Sequence, residues 1–110
     1  MFPTALTDLW ALTATNIKTE AVRLALDSAL FDQLAQSLTV EQCALHQQWE
    51  PQQASALLEL LWSIKLLTRD AAGYQTTAEM QPYLCQTGER YIGDSWRFRY
   101  QSLRDVGQQL

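Results

Sequence analysis

Glycine is scarce in this chain of 110 residues. Gly73, Gly88, Gly93 and Gly107 are the only four, and no two of them cluster. Neither G-x-G-x-x-G nor G-x-x-x-x-G-K-[ST] occurs, so no glycine loop is encoded that would cradle a phosphate or a dinucleotide. Histidine is scarcer still. With His46 alone, neither a zinc-binding H-E-x-x-H nor a Ser-His-Asp triad has local support. The two cysteines, Cys43 and Cys85, stand far apart without metal-ligand spacing and read as free thiols of a reducing compartment. Basic residues are outnumbered 8 to 12, a net charge of −4, which argues against nonspecific binding to nucleic acid or to an anionic membrane. Long apolar runs are missing too. Glu59 and Lys65 bracket Leu60, Leu61, Trp62, Ser63 and Ile64, far short of the roughly 20 residues that span a bilayer. The first residues, Met1 to Asp8, lack a basic n-region, and Asp8 interrupts any apolar h-region. No signal peptide is therefore expected, and a cytoplasmic location is.

What is present is globular. Hydrophobic residues make up 47% of the chain and charged residues 18%, the balance of a folded domain rather than a disordered segment. The length suits one domain with a real core. It is too short for a complete doubly wound nucleotide-binding enzyme or a barrel enzyme.

Apolar spacing predicts helix over residues 4–36. Leu6, Leu9, Trp10 and Thr13 begin it, and Ile17, Ala21, Leu24, Ala25 and Ser28 continue one stripe. The weak helix formers Thr13, Thr15 and Asn16 predict a break or kink, with Asn16 capping a second helix. Thr39 followed by Gln42 is a capping-box pattern that opens a short helix near Val40. Trp49-Glu50-Pro51 ends it, and Pro51 starts the next helix, which runs to about Lys65. The runs 66–69 and 74–77 flank a Gly73-containing turn and read as a hairpin. Thr77 is placed as the cap of a short helix limited by Pro82, and a last helix runs from about Tyr91 to Gln109. Its stripe is Ile92, Trp96, Leu103, Val106 and Leu110. No terminator follows, and aromatics stand on several of its faces, which suggests contacts outside the chain. The fold class expected is mainly α, winged-helix-like, with a small β-hairpin wing.

Candidate chemistry is thin. Asp27, Asp32, Glu41, Glu50, Glu59, Asp94 and Asp105 are scattered, and none neighbours another so as to split two pKa values for acid–base work. Cys43 and His46 share a helix face, but no third ligand is near. DNA reading fares poorly. Between Gln47 and Ile64 there is no Lys or Arg, and although Gln52 and Gln53 have the chemistry to read adenine, Glu50 and Glu59 would face phosphate. The hairpin adds only Arg69, beside Asp70. Cations gather late instead. Arg90, Arg97, Arg99 and Arg104 interleave with Tyr91, Trp96, Phe98 and Tyr100. That segment reads equally as a solvated helix with core aromatics or as a partner-docking or ligand-lining surface.

The order of elements, with the residues that carry it, resembles the N-terminal domain of S-adenosylmethionine-dependent small-molecule methyltransferases of the O-methyltransferase type. Ala21 to Leu34 (AVRLALDSALFDQL) is similar to that family's first core helix. Leu38 to Ala44 (LTVEQCA) matches its "lTaeelA" helix, and Pro51 to Leu67 its leucine-rich helix. Thr68 to Thr77 (TRDAAGYQTT) matches its wing. Tyr83-Leu84 and Tyr91-Ile92-Gly93-Asp94 match the entry to its connecting helix. The resemblance covers nearly the whole chain. It departs at Ala29 and at Lys65-Leu66, where the family has glycine, so both turns must be made without it.

The resemblance implies a non-catalytic domain, 1–110, that pairs two copies and caps a substrate pocket. Residues 1–36 would supply dimerisation helices, 37–77 the helix-turn-helix and wing, and 78–110 a short helix and the connecting helix. S-adenosylmethionine and methyl transfer would belong to a following Rossmann-like domain, with no catalytic, metal or cofactor residue in this chain. Phe2, Leu6, Leu9 and Trp10 would lie at the dimer seam, and Tyr91, Trp96, Phe98 and Tyr100 on the substrate side. A homodimer is expected, with no nucleic acid and no membrane as partner. Two other functions stay open: a winged-helix transcription regulator, and a stand-alone adaptor docking a protein through 91–100.

Overall fold

The computed structural model describes residues 4–109. A long helix, α1 (Thr4–Asp27), is followed by a single turn, α2 (Leu30–Gln33). Two helices, α3 (Val40–Gln47) and α4 (Pro51–Ser63), form a helix-turn-helix. The hairpin β1 (Leu67–Asp70) and β2 (Gly73–Thr76) comes next, then α5 (Gln81–Leu84) and α6 (Gly93–Gln109). The architecture is mainly α with a two-stranded antiparallel wing, winged-helix-like as expected.

The expected break near Asn16 is absent, and α1 is one helix of 24 residues. The weak helix formers are accommodated locally. The hydroxyls of Thr15 and Thr19 each donate to the carbonyl four residues back, Ala11 and Thr15, at 2.9 Å. The break falls at Ser28–Ala29 instead. Ser28 donates to the Leu24 carbonyl at 2.8 Å, and Ala29 swings to φ 56°. Turning without glycine is what the departures from the family pattern required. Lys65, the other such site, has φ 69°.

The capping box at α3 forms in full. Gln42 N–H donates to the Thr39 hydroxyl at 3.1 Å, and the Thr39 N–H donates to the Gln42 side chain at 2.9 Å. Both α3 and α4 close in paired backbone bonds of the Schellman type. Trp49 N–H reaches the Ala44 carbonyl, and Leu66 N–H reaches the Leu61 carbonyl. The hairpin sits one residue from its expected place. Asp70 pairs with Gly73 across a two-residue turn, and the Asp70 carboxylate accepts from Ala72 N–H at 2.8 Å. Tyr74 exchanges two backbone bonds with Leu38, adding a rung to the sheet. Gly73 is obligatory there: its φ is 125°, and a Cβ would stand 2.1 Å from the Leu38 carbonyl oxygen.

Thr77 does not cap α5 with its side chain. Its carbonyl accepts from Met80 and Gln81 N–H at 3.0 Å, while its hydroxyl is buried without a partner among the described residues. Pro82 belongs to the first turn of α5, where a missing N–H costs nothing, so it begins the helix rather than limiting it. The last helix starts at Gly93, two residues later than expected, because Ile92 N–H is bonded to the Tyr83 carbonyl.

The core joins all of this. Ala25, Leu30, Phe31, Leu34, Leu58 and Leu61 are fully enclosed. The Phe31 carbonyl accepts from the Thr76 hydroxyl at 3.0 Å and from the Cys85 thiol at 3.3 Å, tying α2 to the wing and to α5. No described helix is long and apolar enough to cross a membrane.

Candidate functional site

The segment 91–104 combines aromatic rings, arginines and an open cavity, and α6 carries nearly all of it. One side of α6 is anchored to α1. Arg97 donates to Asp94 on its own helix, to Asp27 of α1 at 3.4 Å and to the Tyr91 hydroxyl at 3.3 Å. The Tyr100 hydroxyl bonds to Glu20 of α1. From Asp27 to Glu20 the contacts move back along α1 while α6 advances, so the two helices run antiparallel. The Trp96 and Tyr100 rings stack at 5.4 Å with 5° between their planes, and Arg104 covers Tyr100 at 5.8 Å. Burial pushes the Tyr91 phenol up, offset only in part by the charge of Arg97. Burial acts to lower Arg97, but the bond to Asp94 leads the opposing group, which leaves it raised and fixed as a cation.

The other side of α6 faces an open cavity of about 760 Å³. Ile92, Ser95, Trp96, Phe98, Arg99 and Ser102 line it, together with Asp94. The wall is mainly apolar, with one guanidinium, one carboxylate and two hydroxyls, the usual make-up of a small-molecule or docking cleft.

The four substrate-side candidates are thus divided. Trp96 and Phe98 line the cavity, and Phe98 is 76% exposed. Tyr91 and Tyr100 lie on the α1 side and hold the helix in place. Among the seam candidates, Leu9 stands on α1 and is 58% exposed. Leu6 and Trp10 belong to α1, and Phe2 lies outside the described residues. Residue-type reasoning missed Glu20 and Asp27, the acceptors that seat α6. It also missed Ser95 and Ser102, whose i, i+7 spacing with Arg99 between them is the signal that would have found them.

A second polar cluster pins the wing. Arg69 bonds both carboxylate oxygens of Glu59, at 2.6 and 2.8 Å, and Tyr74 donates to the same carboxylate. The Arg69 guanidinium lies 3.7 Å over the Trp62 ring. Tyr74's bond and Arg69's hold the Glu59 carboxyl below the usual range. Burial pushes the Cys43 and Cys85 thiols up, which makes them poor nucleophiles. Among the described residues, no three His, Cys, Asp or Glu side chains gather as a metal site.

No family model matches the chain, and no curated protein matches it. Solved structures do. An O-methyltransferase family protein from Burkholderia thailandensis superposes with a TM-score of 0.85 and 24% identity, over 97% of this chain and 32% of its own. An O-methyltransferase family 2 protein from Planctomyces limnophilus, solved with apigenin, gives 0.79 and 22% over 93% and 31%. Human N-acetylserotonin methyltransferase, solved with SAM, gives 0.71 and 22% over 97% and 35%. The chain therefore spans about a third of the length of these proteins. At such identities the shared property is the fold.

Proposed function

We propose that this chain is the non-catalytic N-terminal domain of an S-adenosylmethionine-dependent small-molecule methyltransferase, where it pairs two copies and covers the substrate pocket. The observation that carries the reading is its likeness to methyltransferase structures over nearly its whole length but only a third of theirs. In this reading the cofactor and methyl transfer belong to a Rossmann-like domain beyond these residues. In this reading Trp96 and Phe98 form part of the pocket wall, Tyr91 and Tyr100 hold that wall, and Phe2, Leu6, Leu9 and Trp10 lie toward the seam.

The regulator reading lacks cations. Helix α4 has no Lys or Arg, and Arg69 of the wing is engaged by Glu59 and Trp62. An immunoblot of the source cells, using antibody to this domain, tests the proposal. It is expected to show a protein roughly three times the 12.6 kDa of this chain. A band at 12.6 kDa alone overturns it.

A further inference from the structure

Charge is unevenly spread along the chain. Of its 8 lysines and arginines, four lie in residues 90–109, whereas of its 12 carboxylates only Asp94 and Asp105 do. The last segment is thus a cationic strip on an acidic molecule, and its field draws anions toward α6. Within that strip Arg97 is answered by Asp94 and Asp27, and Arg104 lies over the Tyr100 ring. Arg99 differs. Among the described residues it has no ion pair, hydrogen bond or ring contact. The positions three and four away from it on α6 hold Ser95, Trp96, Ser102 and Leu103, so no carboxylate stands beside it on its own helix.

This unanswered guanidinium lies on the cavity wall. At about 100° per residue, Ser95, Arg99 and Ser102 fall within an arc of about 60°. Phe98 flanks that arc on one side and Trp96 on the other, with Ile92 at the helix entry. Asp94 stands at the margin of the wall, and its carboxylate is already bonded to Arg97. One cation, two hydroxyl donors and two aromatic side chains therefore share one side of a single helix. All the lining residues lie between Ile92 and Ser102, so this chain supplies one wall of the cavity.

We propose that this wall selects a planar aromatic molecule bearing a carboxylate, with Arg99 as the residue that determines the choice. The proposal rests on the reading above that the cavity side of α6 belongs to a substrate pocket, and it names the class of acceptor. The ring lies against Phe98 and Trp96, where its burial replaces water on exposed apolar surface. The planar fork of Arg99 matches the two carboxylate oxygens, and the hydroxyls of Ser95 and Ser102 offer further donors on either side. A neutral aromatic gains the ring contact alone and leaves the guanidinium unanswered.

Naphthoate and its neutral amide, naphthamide, are the probes, titrated into the chain and followed by proton–nitrogen NMR correlation spectra. Shifts are expected in the amides of residues 92–102 and in the Trp96 indole, with naphthoate bound at least about fivefold more tightly than naphthamide. Arg99→Gln is expected to abolish that preference, and Arg99→Lys to keep part of it. Arg104→Gln removes an equal charge from the other side of α6 and is expected to leave the preference in place. Raising the salt to about 0.5 M should shrink it. Arg99 is exposed, so the spectra of its variants should otherwise match wild type. Equal affinity for the two probes overturns the acid preference and leaves α6 as a pocket wall. A preference lost equally in Arg104→Gln overturns the assignment to Arg99. No shift in residues 92–102 with either probe overturns the site itself. None of these results alters the mass expected by immunoblot, so failure here is told apart from failure of the methyltransferase reading.

Discussion

Ala29, Gln48 and Lys65 hold left-handed backbone conformations, at φ 56°, 60° and 69°, although none is glycine. Each such residue costs roughly 1 kcal/mol relative to the helical region. The turns persist because the bonds around them demand that geometry: Leu66 to Leu61, Trp49 to Ala44, and Ala29 to Leu26. Substituting glycine at Ala29 or Lys65 is therefore expected to stabilise the chain by about 0.5–1 kcal/mol each, less glycine's own entropy in the unfolded state. Thermal melts of the two single variants and their double would read this, and the effects should add because the turns are separate. Gly73 is the opposite case. Its φ of 125° and the 2.1 Å approach to the Leu38 carbonyl leave no place for a Cβ. Gly73→Ala should cost more than about 2 kcal/mol by chemical denaturation, since the wing must part from Leu38 to admit the methyl group.

The wing is held to α4 by polar contacts as well as by the core. Glu59 accepts from Arg69 and Tyr74, with Trp62 beneath the guanidinium. Tyr74 and Arg69 depress the Glu59 pKa in the folded chain, so folding favours its ionised form. The stability this contributes is fully present above the unfolded pKa of about 4.3 and is lost as pH falls through the lower folded value. Melts from pH 7 downward should show wild type more stable than Glu59→Gln at neutrality, with the gap closing below about pH 4. A constant gap would mean the carboxylate charge is irrelevant to the wing. This cluster was not legible in the sequence, where Glu59 stands ten residues from Arg69 and counts as one solvated carboxylate among several. The hairpin register brings Arg69 opposite Tyr74, and only packing of the wing on α4 adds Glu59. Elements with their own local chemistry were legible: the Thr39–Gln42 box, the Pro51 start and the Gly73 turn. The continuity of α1 was not, because threonine's weak propensity is a small term that back-bonding hydroxyls and the helix's length override.

At the scale of the whole molecule, described residues of both α1 and α6 leave apolar side chains exposed. On α1 these include Leu12 and Ile17, whereas the cavity side of α6 mixes Trp96 and Phe98 with Asp94, Arg99 and two serines. The α6 side has the mixture of apolar wall and few orienting polar groups that a bound molecule needs. The four aromatic candidates were found together in the sequence because arginine and aromatic side chains cluster there. Their division into wall and anchor was not, since it depends on which side of α6 meets α1. That division yields a prediction for the intact methyltransferase proposed above. Phe98→Ala removes exposed wall and touches no anchor, so it should raise KM for the methyl acceptor by roughly tenfold, the loss of about 1.4 kcal/mol of apolar contact. KM for S-adenosylmethionine and the oligomeric mass should stay unchanged. Tyr100→Phe breaks the bond to Glu20 and keeps the stack on Trp96, so it should act differently. It loosens the seat of α6 on α1, and its effect should appear in thermal stability before it appears in acceptor KM. If Phe98→Ala instead left acceptor KM unmoved, the cavity side of α6 would not face the substrate, and the 91–100 segment would revert to a docking surface for another protein.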